Sequence, residues 1–328
     1  MEYLYLIIGL VLVLVGANYL VDGATSVAKR FGISDMVIGM TIVGIGTSTP
    51  EMVVSFLGAT QGNADIAVGN IVGSNICNIL LILGISALIY PMVLTRNNII
   101  KDIPFVLLST AALCAVALDK QISGASENII SLGDGIVLLL FFAVFMVYSF
   151  LTAHKPEPEQ DKIANQEVPP VKKDSKWKRT WLPILMIIGG LVTLIAGGDM
   201  FVNAATKVAK AIGVSDVIIA VTIVAIGTSV PELATSVIAA AKKNTGLALG
   251  NVVGSNIFNV FLILGGSALI TPLNLGNFGM LNFIMLGVAT LALFICAFTF
   301  HKRYIDRIEG VLFLLMYIAY IVLLIKGF

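Results

Sequence analysis

The chain reads as an all-α polytopic membrane protein of ten transmembrane helices, arranged as two five-helix repeats of inverted topology. Three observations carry that reading. Of 328 residues, 58% are hydrophobic and 12% charged, and the mean hydropathy of +0.99 lies far above soluble globular values. Ten apolar runs fall as five plus five around one polar segment. Finally, Gly32–Pro91 aligns without a gap on Gly213–Pro272, 181 residues further on, with 34 of 60 positions identical.

A span needs about 20 mostly apolar residues. In order the runs cover 3–27, 36–60, 66–90, 103–119, 134–152, 181–206, 216–241, 247–270, 279–300 and 310–326. The first, MEYLYLIIGLVLVLVG, has no basic residues ahead of it and no small-residue cleavage signal, so it reads as a span rather than a removed leader. Nothing alternates with the period of a strand, and runs this long do not suit a β-barrel. The polar segment 153–180 holds Pro156, Pro158, Pro169, Pro170 and seven Lys/Arg, the composition of a flexible linker too short for a folded domain. Residues 1–152 are therefore expected to form the first repeat, and 181–328 the second.

Charge sets the orientation. With the linker in the cytoplasm, sixteen of the twenty Lys/Arg fall on that side, including Lys29, Arg30, Arg96, Lys101, Lys242, Lys243, Lys302, Arg303 and Arg307. Only Lys120, Lys207, Lys210 and Lys326 fall outside, which places both termini outside. Five is odd, so the second repeat enters the membrane upside down. Such inverted repeats are a transporter architecture, with the substrate site near the midplane where the halves meet.

The repeated motifs point to cation chemistry. TIVGIGTSTPE at 41–51 returns as TIVAIGTSVPE at 222–232, and GNIVGSNICN at 69–78 returns as GNVVGSNIFN at 250–259. Pro50 and Pro231 each remove a backbone donor and disturb the carbonyl four residues earlier, at Gly46 and Gly227. In lipid, freed carbonyls persist only where protein, water or ligand satisfies them. Glu51 and Glu232 follow at once. A lone carboxylate at the bilayer centre is costly, and two facing each other repel unless a cation or proton neutralises them. Helical spacing puts Ser48 and Ser55, or Ser229 and Ser236, beside each Glu. Calcium takes about 6–8 oxygens, which two carboxylates, carbonyls near Thr47 and Thr228, and water could supply. Ser74 with Asn78, and Ser255 with Asn259, share a helix face and offer the neutral oxygens that suit sodium. Gly69-Asn70, Gly73, Gly250-Asn251 and Gly254 fit close helix approach.

Other polar groups have plainer readings. Asp35 and Asp216 follow Ser34 and Ser215 at helix starts. Asp22 and Asp199 align with Asn203 and Asn18, an exchange that fits helix-end or loop contacts. His154 and His301 lie at basic helix ends as solvated loop residues. Cys77, Cys114 and Cys296 are far apart in apolar runs, with no zinc, redox or disulfide spacing. A net charge of +1 leaves no footprint for nucleic acid. No His lies in a span and no Ser–Lys or paired-Asp arrangement occurs, so the chain is not expected to be an enzyme or to carry a cofactor.

On the paired G-T-S-x-P-E and G-S-N-x-x-N motifs, the ten spans and the central loop, the chain resembles the cation/calcium exchanger superfamily, prokaryotic sodium/calcium exchanger type. The resemblance implies a core of the second, third, seventh and eighth helices around four ion sites. Glu51 and Glu232 would be the central calcium ligands, with the carbonyls of Thr47 and Thr228. Ser48, Ser74, Asn78, Ser229, Ser255 and Asn259 would line the flanking sodium sites, and the carbonyls of Gly44 and Ala225 the outer ones. Some members carry an aspartate where Asn259 stands, so the site charge here should be nearer −2 than −3. The expected function is antiport of Ca²⁺ against Na⁺ by alternating access at one shared site, with spans 3–27 and 181–206 sliding over the core. A Ca²⁺/H⁺ antiporter is the alternative and a cation channel a remote one. The expected partners are these ions and the lipid bilayer, the expected compartment the plasma membrane, and one chain is expected to suffice.

Overall fold

The computed structural model describes residues 2–153, 181–212, 227–276, 278–298 and 304–326. The helices are α1 Glu2–Phe31, α2 Asp35–Thr47, α3 Thr49–Thr60, α4 Ala64–Ile89, α5 Asn98–Ala117, α6 Leu132–Thr152, α7 Trp181–Ala211, α8 Val230–Ala241, α9 Thr245–Ile270, α10 Met280–Cys296 and α11 Arg307–Ile325. Among the described residues seven of these are long and apolar enough to cross a membrane, or eight if α2 and α3 count as one bent span. The shorter α8 and α10 are also apolar. The linker 153–180, apart from its first residue, and residues 213–226, which hold Ser215, Asp216 and Ala225, lie outside the described residues, as do His154 and His301.

Helix starts follow local chemistry. Asn63 accepts from Ile66 N at 3.1 Å and Asn244 from Leu247 N at 3.0 Å, each satisfying a donor that the first helical turn leaves open. Ser131 with Asp134, and Asp306 with Glu309, form reciprocal caps on α6 and α11. Ser34 caps α2 by accepting from Val37 N at 3.3 Å, and Asp35 is the first helical residue rather than the cap itself. The span expected at 36–60 is not continuous. It stops at Thr47, restarts at Thr49 and bends by 47°. Pro50 thus sits in the first turn of a new helix, where its missing N–H costs nothing. Pro231 occupies the same position in α8.

Strands were not expected, yet two short antiparallel pairs occur. Met92–Val93 pairs with Tyr304–Ile305, and Ile129–Ile130 with Leu273–Asn274. Two-residue ladders carry no periodicity to read. Each ties a loop of the first half to a loop of the second.

Loop contacts sort the helix ends into two faces. On one, Lys242 pairs with Asp22 at 2.7 Å, Asn244 donates to Thr25 at 3.0 Å and Asp35 at 3.1 Å, and Lys243 lies over the Tyr90 ring at 5.6 Å. On the other, Lys207 meets Glu2 at 3.5 Å. Asp22 therefore serves as a tie between α1 and the turn after α8, within α1 and not at its end. Asp199 is exposed on α7. The Asp22–Lys242 pair is half-exposed, and such pairs contribute about 0–1 kcal/mol. Lys242→Met is accordingly expected to lower the melting temperature only slightly, which a thermal scan in detergent checks.

Two close crossings shape the interior. α1 and α7 meet along glycines: a Cβ on Gly16 would lie 2.8 Å from the Gly190 carbonyl oxygen, and one on Gly197 2.8 Å from Val13 N. α2 and α9 meet where a Cβ on Gly39 would lie 2.7 Å from the Leu247 carbonyl oxygen, and one on Gly254 2.7 Å from Met40 Cα. α9 is almost wholly enclosed and α4 largely so, whereas α1, α5, α6, α7 and α11 each keep an apolar face outward. Cys77 and Cys296 are buried, Cys114 is half-buried, and none is bonded to another.

Candidate functional site

The break between α2 and α3 and the start of α8 bring two short turns together in the interior. Ser48 and Ser229 stand at these turns with ψ of 9° and 6°, just outside helical geometry. Each turn ends in its carboxylate, because Glu51 and Glu232 lie in the first turn of α3 and α8, where a helix N-terminus favours negative charge. Both are 1% exposed.

The serines do not serve the neighbour that helical spacing gives them. Ser48 Oγ donates to Glu232 Oε1 at 2.9 Å, and Ser229 Oγ to Glu51 Oε1 at 3.2 Å. The donation crosses from one half of the chain to the other. From within each half comes a second, longer contact: Ser74 Oγ lies 3.4 Å from Glu51 Oε1, and Ser255 Oγ 3.5 Å from Glu232 Oε1. Ser229 also meets Ser74 at 3.2 Å. Ser55 and Ser236, expected beside the carboxylates, turn instead to α4 and α9. Ser55 donates to the Ala67 carbonyl at 3.2 Å, and both accept from asparagine amides.

On each Glu only one oxygen is engaged. Glu51 Oε2 and Glu232 Oε2 are buried without a hydrogen-bond partner, as are Asn78 Oδ1 and Asn259 Oδ1. A buried acceptor left unpaired costs about 1–3 kcal/mol, more when charged, so four of them in these repeated motifs point to a ligand. Asn78 and Asn259 lie at the start of π-helical stretches, as the second residue of Cys77–Ile82 and the first of Asn259–Leu264, a distortion often found at functional sites. Asn259 donates to Asn75 Oδ1 at 2.9 Å, while both amide atoms of Asn78 are unpartnered. The Gly44 carbonyl accepts from Ser48 N at 3.1 Å. Thr228 is half-buried and Thr47 fully buried.

Asn70 and Asn251 were read as part of close helix approach. The structure gives them more: each amide bonds to both halves of the chain. Their identity in both repeats was the available signal. Among the described residues no group of three or more His, Cys, Asp and Glu side chains is placed to hold a metal ion. The donor set is two carboxylates with hydroxyl and amide oxygens, which suits hard cations and not zinc or copper.

A helical membrane protein in which one broken helix and the start of another bring two carboxylates together in the interior is, by class, a cation transporter. The comparisons with known proteins narrow the class. The sodium/calcium exchanger protein family matches residues 1–151 and 182–326. The putative antiporter CaxA of Alkalimonas amylolytica is 39% identical over 327 residues, covering 99% of this chain and 98% of that one. The sodium/calcium exchanger MaX1 of Methanosarcina acetivorans is 32% identical, covering 98% of each. A solved structure of the sodium-calcium exchanger NCX_Mj, soaked with Na⁺ and Sr²⁺, superposes with a TM-score of 0.81 at 32% identity, over 98% of this chain and 97% of that one. The chain belongs to the sodium/calcium exchanger family, within the cation/calcium exchanger superfamily. It is thus a multi-pass member of a transporter family.

Proposed function

We propose that this chain is a secondary antiporter that moves Ca²⁺ against a Na⁺ gradient through one site shared by both ions. The observation that carries the reading is the reciprocal donation of Ser48 to Glu232 and Ser229 to Glu51, with the second oxygen of each carboxylate buried and unpaired. The ligands proposed are Glu51, Glu232, Ser48, Ser229, Ser74, Ser255, Asn78 and Asn259, with the carbonyls of Thr47, Thr228, Gly44 and Ala225. Two carboxylates are neutralised by one Ca²⁺ or by two Na⁺. Because the same oxygens serve both, the ions compete, and competition makes the protein exchange rather than leak.

Ten spans in two inverted halves, 1–152 and 181–328, provide alternating access in this reading. The glycine seam between α1 and α7 supports it, since small residues let two helices travel together across a core. Seven of the eleven described Lys/Arg lie on the face of Lys29, Arg30, Lys242 and Lys243. That excess supports a cytoplasmic position for this face and for the linker, with both termini outside the plasma membrane. Both carboxylates come from one chain, so a monomer suffices.

A second reading rests on Asn259. With amides at 78 and 259 the site has two acids, which would also serve a Ca²⁺/H⁺ antiporter with the Glu pair as proton carriers. The test is ⁴⁵Ca²⁺ uptake into proteoliposomes under an outward Na⁺ or an outward H⁺ gradient. Uptake driven by Na⁺ is expected. Uptake driven by H⁺ alone would replace sodium coupling with proton coupling, and ion flux without either gradient, seen as single-channel current, would make it a channel.

A further inference from the structure

Asn70 and Asn251 stand outside the ligand set just named, yet each is held by three bonds that join the two halves. Asn251 Nδ2 donates to the Glu232 carbonyl oxygen at 3.3 Å and to Ser236 Oγ at 2.9 Å. Its Oδ1 accepts from Thr47 Oγ1, in the opposite half, at 3.0 Å. Asn70 repeats the pattern, donating to the Glu51 carbonyl and Ser55 Oγ at 3.1 Å each and accepting from Thr228 Oγ1 at 3.2 Å. An amide has two donors and an acceptor to give. Both asparagines give both amide protons to the helix that carries the carboxylate of their own half, and the oxygen to the threonine of the other.

The chemistry of the bonds says what they do. One end of each amide holds the main chain of a Glu and the serine one turn on, which fixes where that carboxylate starts. The other end holds the threonine with which the opposite half reaches its turn. The hydroxyl's one proton is thereby committed, which fixes the side chain of the threonine whose main-chain carbonyl is the proposed ligand. Glutamine could not replace this arrangement, since one more methylene would displace the amide from bonds made at 2.9–3.3 Å.

We infer that Asn70 and Asn251 are the positioning residues of the transport site, each bracing the carboxylate turn of its own half to the threonine turn of the other. The two half-sites then form and distort together. This rests on the reading of Glu51 and Glu232 as the cargo ligands.

The experiment is a double-mutant cycle on ⁴⁵Ca²⁺ uptake by the full-length protein in proteoliposomes, recording KM and maximal rate separately. Partners of ion-ligating groups typically account for about 10–100-fold in metal affinity. Asn251→Ala is therefore expected to raise the Ca²⁺ KM by at least about tenfold, with a smaller change in maximal rate. Thr47→Val should move KM in the same direction, Thr47→Ser should recover most of that loss, and the double variant should be no worse than Asn251→Ala alone. Additive effects, or an unchanged KM in folded Asn251→Ala, would overturn the proposal. Should Asn251→Ala fail to fold, the half-buried pair Asn70→Ala and Thr228→Val takes its place with the same expectations. Absence of Ca²⁺ uptake by the unmodified protein under either gradient would instead sink the reading of the site itself.

Discussion

Glu51→Gln and Glu232→Gln are each expected to lower Ca²⁺ uptake by at least about a hundredfold while leaving the protein folded. Gln keeps the shape and the acceptor that Ser229 or Ser48 bonds, so the cross-half contacts at 3.2 and 2.9 Å can persist. What goes is one of two negative charges. At an effective dielectric near 20, a charge pair about 4 Å apart is worth about 4 kcal/mol per unit of charge product, and each 1.4 kcal/mol is tenfold in affinity. Even after discounting for water in the path, two decades are a conservative loss. Stability separates this from misfolding. Removing one of two buried carboxylates that repel in ion-free buffer should raise the melting temperature there. The upward shift on adding Ca²⁺ should vanish, since a ligand stabilises only what it binds: about 2.7 kcal/mol at a hundred times Kd. A variant that still transports at half the normal rate would remove that carboxylate from the site.

Gly254→Val is expected to abolish folded protein, measured as loss of the monodisperse peak in size-exclusion chromatography. A Cβ at this position would come within 2.7 Å of Met40 Cα and 2.8 Å of Met40 C, and backbone cannot swing aside as a side chain can. Overpacking a core by a methylene or two costs about 1–3 kcal/mol, and Val adds a branched side chain against main chain. The damage also reaches the site, because α9 carries Ser255 and Asn251, the partners of Glu232 and Thr47. Gly32→Ala offers the contrast: nothing lies within 4 Å of its Cβ, and only its positive φ of 65° opposes the change. That costs about 1–2 kcal/mol.

What the residues disclosed beforehand has a physical pattern. Hydropathy located the long spans, because the bilayer imposes one length on every crossing helix. Duplication located the motifs, and repeated polar residues in apolar runs marked the interior. Partner choice stayed hidden. Helical spacing puts Ser48 next to Glu51, yet a stop at Thr47 and a 47° bend turn its hydroxyl to Glu232. Periodicity assumes an unbroken helix, and here the helix breaks at the very residues that matter. The π-helical stretches after Ile76 and Phe258, and the two-residue strands, were invisible for a similar reason: both are set by tertiary packing rather than local propensity. Asn70 and Asn251 were legible as repeated residues, but a bond to a threonine of the other half has no sequence spacing.

The exchanged serines have a consequence for how such a chain can change over time. Neither half owns a complete half-site: the shorter of the two serine contacts to Glu51 comes from beyond the linker, and the same holds for Glu232. A substitution that drifts into one serine turn therefore alters the surroundings of the carboxylate in the other half. A change at either serine turn is never local to its own repeat, because the carboxylate it reaches belongs to the twin.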